Sequence, residues 1–351
     1  MDLSVFFAGT GASSPSARRG LSATLLRAGG DRILVDCGEG TQRQLVKTVG
    51  LAELDTVLLT HLHADHWFGL PGMLKSFDLR DREKPLEIFG PPGTRAILKQ
   101  VEPVYGRLGY RLDIEELDAD ESLRFDGYRV QTFATRHRGP SIGYVFLEDD
   151  RPGRFDAGRA VELGIEPGPE FGQLQRGETV RGVEPSQVMG ETRRGRRVVF
   201  TGDTRPSDST VVAATGADLL IHEGTFVTED KARAAETAHS TGAQAAQVAA
   251  DAGVKLLALT HVAARVHVSQ LEQEAREVFD NTIVVRDFDE IELPLPDRGD
   301  PVHHRWSDRR REQHEAAQAA AAGAPQATAE RENAPEQADP EPAAERTPAT
   351  R

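Results

Sequence analysis

The sequence predicts an α/β protein in which two β-sheets pack together and are covered by helices. Three observations carry this expectation. Eleven short runs rich in Val, Ile, Leu and Phe alternate with segments of helical periodicity. The connections between them mix hairpin lengths with crossover lengths, which fits two mixed sheets under helical layers. The chain has 351 residues, enough for one large domain or two modest ones.

In chain order, strands are expected at 3–9, 23–29, 32–38, 55–61, 86–91, 128–137, 142–149, 196–203, 217–223, 254–261 and 281–293. Helices are expected at 41–49, 94–105, 241–253 and 269–280, with a helix-like stretch WFGLPGMLKSF at 67–77. Two of them carry start signals. Ser240 and Thr241 precede one, and Ser269 with Glu272 three positions on opens the other.

Two stretches fall outside this alternation. Residues 151–195 are dense in Gly, Pro and charge and separate two clear strands, a connection long enough to be functional or disordered. Beyond Trp306 the chain has no aromatic residue and no Leu, Ile, Val or Phe. Such a segment buries too little apolar area to offset the entropy of ordering it, so residues 298–351 are expected to be a disordered tail after a body of residues 1–297.

The formal net charge is −14, from 42 Lys and Arg against 56 Asp and Glu. The tail holds 8 Arg and 10 acidic residues, so the body is acidic in its own right. Coating of nucleic acid through bulk charge is thereby excluded, although a local basic surface is not. Cys37 is the only cysteine, which rules out an intrachain disulfide and a cysteine-based zinc cage. No apolar run is long enough to span a membrane, and the N-terminus lacks a basic, signal-like start. A cytoplasmic protein without a membrane partner is expected.

The sharpest chemical feature is HLHADH at 61–66, which supplies His61, His63, Asp65 and His66 at a strand-to-helix turn. Imidazole nitrogens and carboxylate oxygens at this density suit a metal ion far better than a solvated loop. His137, Asp203 and His261 occupy matching places at the ends of later expected strands, where α/β sheets gather their sites. Five histidines and two aspartates exceed the needs of one tetrahedral ion. They suit two ions sharing a bridging carboxylate and a bridging hydroxide.

With these residues in view, the chain resembles the metallo-β-lactamase superfamily and, more narrowly, the ribonuclease Z (tRNase Z) family. The matching text is DCGEGTQRQ at 36–44, THLHADHWFGLPG at 60–72, GYVFLED at 143–149, GDTRP at 202–206, IHEGTF at 221–226 and AHSTGAQAAQVA at 238–249. The resemblance implies a four-layer αββα sandwich and a zinc-dependent endoribonuclease that removes the 3′ trailer from precursor tRNA, leaving a 3′-hydroxyl. It further implies two Zn²⁺ per subunit, with Mn²⁺ also compatible. His61, His63 and His137 are the implied ligands of one ion, Asp65, His66 and His261 those of the other, and Asp203 the bridge. Asp65 is the implied proton acceptor, and Glu223 with His239 the implied acid for the leaving oxygen. Asp36 is the implied carboxylate steadying a ligand histidine.

Residues 151–195 resemble the family's flexible arm, which grips tRNA away from the active site in a homodimer. Gly168, Pro169 and Arg176 are the arm residues implied to contact substrate. The stretch 151–197 carries 9 Arg against 7 acidic residues, a basic island in an acidic chain. This sequence departs from the family at Ala64, where glycine is common, at Val266, where tyrosine is usual, and at RRGLSATLL near residue 19. Two other activities would use the same dinuclear site, a general zinc phosphodiesterase and a 3′-exoribonuclease. A non-catalytic RNA-binding module is disfavoured by intact donors at all seven positions.

Overall fold

A computed structural model describes residues 1–51, 54–312 and 315. The chain opens with β1 (Leu3–Gly9), β2 (Ala23–Ala28), β3 (Asp31–Val35), α1 (Thr41–Lys47), β4 (Thr56–Leu58), α2 (Ala64–Trp67) and α3 (Leu70–Asp78). It continues through β5 (Leu86–Gly90), α4 (Thr94–Tyr105), β6 (Leu112–Glu116), β7 (Ser122–Phe125), β8 (Tyr128–Ala134) and β9 (Ile142–Glu148). The insertion holds α5 (Ala157–Glu162) and α6 (Pro169–Gln175). Then follow β10 (Arg197–Phe200), α7 (Asp208–Ala214), β11 (Leu219–Glu223), α8 (Lys231–Thr237), α9 (Gly242–Ala252) and β12 (Leu256–Thr260). The last elements are α10 (Val268–Arg276), β13 (Thr282–Val284), β14 (Glu290–Glu292) and β15 (Val302–His304).

The strands form two sheets, ordered β15-β14-β1-β2-β3-β4-β5-β6 and β13-β12-β11-β10-β9-β8-β7. Side chains alternate across each strand, so each central strand feeds two different cores. In β1, Val5 and Phe7 enter the core between the sheets, whereas Phe6 and Ala8 face the outer helices. In β12, Leu256 and Ala258 lie between the sheets, and Leu257 and Leu259 meet helices. Leu45 of α1, Met73 and Phe77 of α3 and Leu98 of α4 cover the first sheet. Ala214 of α7, Ala245 and Ala249 of α9 and Leu271 of α10 cover the second. The result is the expected helix–sheet–sheet–helix order. Residues Met1–Arg309 form one compact unit.

Arg196 fastens the two sheets together. Its guanidinium is almost fully buried and donates to Glu148 Oε2 and Oε1 at 2.7 Å each, on the second sheet. It also donates to Leu293 O and Met1 O at 2.6 Å, at the end of the first.

Several expectations need adjustment. The single strand at 281–293 is two strands in different sheets, because the chain crosses over between β13 and β14 with Phe288 at φ 74°. The helix-like stretch at 67–77 is divided at Gly69, which separates α2 from α3. Thr241 caps α9 as expected, in a capping box with Gln244. By contrast α10 starts at Val268 after His267, so Ser269 lies inside its first turn. The strands β6, β7 and β15 had no sequence signal, being short and rich in polar residues. Within the stretch expected to be a tail, β15 pairs with β14, and Trp306 packs on Phe288 with ring centroids 5.5 Å apart. Asp289 holds that segment by accepting from Trp306 N and pairing with His303. The remainder of the expected tail, 313–314 and 316–351, lies outside the described residues.

The insertion is folded, with Ala160, Ile165, Leu174, Val180, Val183 and Val188 buried in a small core of its own. Its apolar residues are spread too thinly among Gly, Pro and charge to show a period, yet they meet in space. Among the described residues no helix is long and apolar enough to cross a membrane.

Candidate metal centre

The site lies at the carboxyl ends of strands from both sheets. Asp36 follows β3, and His61 to His66 follow β4 and run into α2. His137 follows β8, Asp203 follows β10, Glu223 ends β11 and His261 follows β12. His239 stands between α8 and α9. Two of these positions, Asp36 and His261, have positive φ, of 59° and 54°. Such conformations are costly for non-glycine residues and persist where the surroundings impose them.

Close backbone contact seats the histidine turn. Cys37 N donates to His66 O at 2.7 Å, and Gly69 N donates to Cys37 O at 2.9 Å. A Cβ on Gly38 would sit 2.4 Å from Asp65 O, so only glycine allows this approach. Cys37 itself is buried and unpaired.

The seven expected donors are brought together. His61 Nε2 and His137 Nε2 each lie 3.1 Å from His63 Nδ1. His66 Nε2 lies 3.2 Å from His261 Nε2, which lies 3.3 Å from Asp65 Oδ2. Asp203 Oδ2 sits between the two groups, 3.6 Å from His61 Nε2, 3.8 Å from His137 Nε2 and 3.3 Å from His66 Nε2. Asp203 Oδ1 is buried and has no hydrogen-bond partner among the described residues.

The far nitrogens of four histidines are tied to acceptors. His66 Nδ1 faces Asp36 Oδ2 at 2.6 Å, and His61 Nδ1 faces Thr60 Oγ1 at 3.1 Å. His137 Nδ1 faces Ala238 O at 2.9 Å, and His261 Nδ1 faces Thr225 Oγ1 at 3.0 Å. With a metal ion bound, these partners would keep the proton on Nδ1 and free each Nε2 for the ion. The 3.2 Å approach of His66 Nε2 to His261 Nε2 sets against each other two rings whose far nitrogens already face acceptors, a juxtaposition that a cation between them would relieve. Nitrogens about 2.0–2.1 Å from a tetrahedral ion stand roughly 3.3 Å apart, close to these spacings. The donor set therefore fits divalent metal, and the cluster is a divalent metal site.

Burial opposes charge throughout, and the neighbours decide the outcome. Burial and the adjacent His66 keep His61 well below the usual histidine value. Asp65 would be raised by burial, yet His261 and His66 hold it far below the carboxylate range. His239 is likewise penalised by burial, but Glu223 outweighs this and pushes it up to about 9. His239 Nδ1 meets Glu223 Oε1 at 2.9 Å. Glu223 is itself fixed by Thr204 N at 2.9 Å, Ser240 N at 3.1 Å and Thr225 Oγ1 at 2.5 Å.

Some functional neighbours had no individual signal. Thr60 links Asp36 to His61, since its N–H donates to Asp36 Oδ1 at 2.8 Å and its hydroxyl reaches Asp36 Oδ2 at 3.0 Å. Thr225 links Glu223 to His261. Ser13 N donates to Asp65 Oδ2 at 2.7 Å. The two threonines lie inside the motif blocks THLHADH and IHEGTF, Thr60 next to the donor His61 and Thr225 two residues beyond Glu223. The arm residues are located elsewhere. Gly168 precedes α6, Pro169 begins it, and Arg176 follows it, paired with Glu178 at 3.0 Å.

Residues 18–264 match the family model of the metallo-β-lactamase superfamily, consistent with the paired sheets and the clustered donors. A ribonuclease Z of Gemmatimonas aurantiaca is 48% identical over 84% of this chain and 97% of its own length. One of Haloferax volcanii is 44% identical over 85% and 97%. The crystal structure of human tRNase Z, short form, superposes with a TM-score of 0.62 at 29% identity, covering 83% of this chain and all of that one. The chain belongs to the ribonuclease Z family.

Proposed function

We propose that this chain is a zinc-dependent endoribonuclease that removes the 3′ trailer from precursor tRNA. The observation that carries this is the convergence of seven His and Asp donors beside a separately held Glu223–His239 pair. His61, His63 and His137 would hold one Zn²⁺, Asp65, His66 and His261 a second, and Asp203 would bridge them. Mn²⁺ suits the same donors. Bound ions of this kind acidify a shared water and clamp phosphate oxygens.

The protein's own groups complete the reaction. Asp65, ionised and aligned by the Ser13 N–H, accepts the proton of the attacking water. The water oxygen bonds to phosphorus, and the bond from phosphorus to the tRNA 3′-oxygen breaks. His239, kept protonated by Glu223, donates its proton to that oxygen. The products are a tRNA 3′-hydroxyl and a trailer with a 5′-phosphate. The body of residues 1–297 carries this chemistry, while the 151–195 arm, with Gly168, Pro169 and Arg176, meets the tRNA phosphates at a distance from the cut. A cytoplasmic homodimer, one subunit holding and the other cutting, is the proposed working form.

The test is incubation of metal-loaded protein with end-labelled, 3′-extended tRNA. Release of the trailer as one oligonucleotide, lost in His63→Ala, is expected. Release of mononucleotides would assign a 3′-exonuclease, and tRNA binding without cleavage would assign a binding module.

A further inference from the structure

The insertion leaves β9 and returns to β10 through a two-stranded stem. Arg151 and Arg193 exchange backbone hydrogen bonds of 2.8 and 2.9 Å. Gly190 N donates to Arg154 O at 2.9 Å, and Asp156 N donates to Val188 O at 2.7 Å. A Cβ on Gly153 would lie 1.9 Å from Gly190 O, so the two strands touch backbone to backbone there. An isolated two-stranded ribbon of this kind is marginal in water. Its direction must be set by what grips it.

Three arginines of the stem converge on one carboxylate of the body. Asp297, which follows β14, receives Arg151 Nη2 at 3.4 Å, Arg154 Nη2 at 3.1 Å and Arg193 Nη1 at 3.3 Å. The next stem residue, Arg194, points to the opposite face by strand alternation. There it makes a two-point pair with Asp218 at 2.7 and 3.0 Å. The stem is thus gripped on both faces at its root. Asp218 has other duties, accepting from Arg197 N and pairing with Lys255. Asp297 gathers charge from both strands of the stem.

We infer that Asp297 is a positioning residue that fixes the arm's direction and thereby sets the affinity for tRNA. This rests on the proposed role of the arm. A single exposed ion pair contributes little, because ordering two long side chains offsets the attraction. Three pairs sharing one acceptor on a preformed ribbon act as a network.

The test compares wild type, Asp297→Asn and Asp297→Glu as full-length, metal-loaded protein. Amide hydrogen exchange at 151–156 and 188–193 should quicken about fivefold in Asp297→Asn and recover in Asp297→Glu. KM for precursor tRNA should rise about fivefold in Asp297→Asn, with kcat unchanged. Turnover of bis(p-nitrophenyl) phosphate should also be unchanged. Unaltered stem exchange in Asp297→Asn would overturn the inference whatever the kinetics. Faster exchange with an unaltered KM would overturn the link to substrate affinity. Deletion of 151–195 locates the fault: if the deletion also leaves KM unaltered, the arm's role fails, and if it raises KM while Asp297→Asn does not, Asp297 fails.

Discussion

Asp36 touches none of the proposed ions, yet its replacement by asparagine is expected to weaken metal binding about 10–100-fold. The carboxylate is buried, 2% exposed, and each oxygen has its own task. Oδ1 accepts from Thr60 N at 2.8 Å, while Oδ2 accepts from His66 Nδ1 at 2.6 Å and from the Thr60 hydroxyl at 3.0 Å. Asparagine keeps the volume but offers only one acceptor oxygen. With that oxygen on Thr60 N–H, the amide NH₂ faces His66 Nδ1, and two donors meet. Relief requires moving the His66 proton to Nε2, which removes one lone pair from the cluster. Rotating the amide only transfers the clash to Thr60 N–H. A 10–100-fold loss is roughly 1.4–2.8 kcal/mol, the size of one good charged hydrogen bond. The assay is zinc competition against a fluorescent chelator at neutral pH, with circular dichroism confirming that the variant is folded. A folded variant whose zinc Kd lies within twofold of wild type would refute the idea that Asp36 fixes the His66 tautomer.

Three further predictions follow from the same contacts. Glu223 raises His239 to about 9, so kcat should hold below that pH and fall as pH rises through it. In Glu223→Gln this alkaline limb should move toward the ordinary histidine value of about 6.5, and an unmoved limb in the pH–rate profile would exclude His239 as the acid. Arg196→Met leaves Glu148, a half-buried residue whose side chain is 6% exposed, without its cation and should cost about 3–5 kcal/mol in urea unfolding. Burial alone would raise Glu148, but Arg196 holds it below its usual value; the stabilisation is therefore full above pH about 4.3, is lost as pH falls through the lower folded value, and should vanish from the acid limb in Glu148→Gln. Gly38→Ala forces a methyl onto Asp65 O and should cost about 1–3 kcal/mol with loss of metal binding, whereas Gly30→Ala, which meets nothing within 4 Å, should leave metal binding intact.

Much of the fold was legible because the central strands are continuous apolar runs. LSVFFAG and VKLLALTH have no other economical reading, and each gave a strand at its expected place. Edge strands were hidden for the opposite reason. LDIEE and VHH expose much of their surface, so their composition carries no burial signal. The split of 281–293 was invisible because both halves are strand-like, and only the change of sheet at Phe288 separates them. In the site, the donors could be read individually from their motifs. The threonines that orient them could not, since Thr60 acquires meaning only when Asp36 arrives from another strand, and Thr225, two residues beyond Glu223, only when His261 arrives from the end of β12. Asp297 was equally silent, an ordinary acidic residue after a short strand until three arginines from a distant insertion surround it.

The most direct test of the dinuclear site is anomalous diffraction at the zinc absorption edge, from crystals grown with zinc in excess. Two peaks about 3.5–4 Å apart are expected, one among His61, His63 and His137, the other among Asp65, His66 and His261, with Asp203 between them. A single peak, or peaks away from these side chains, would contradict it.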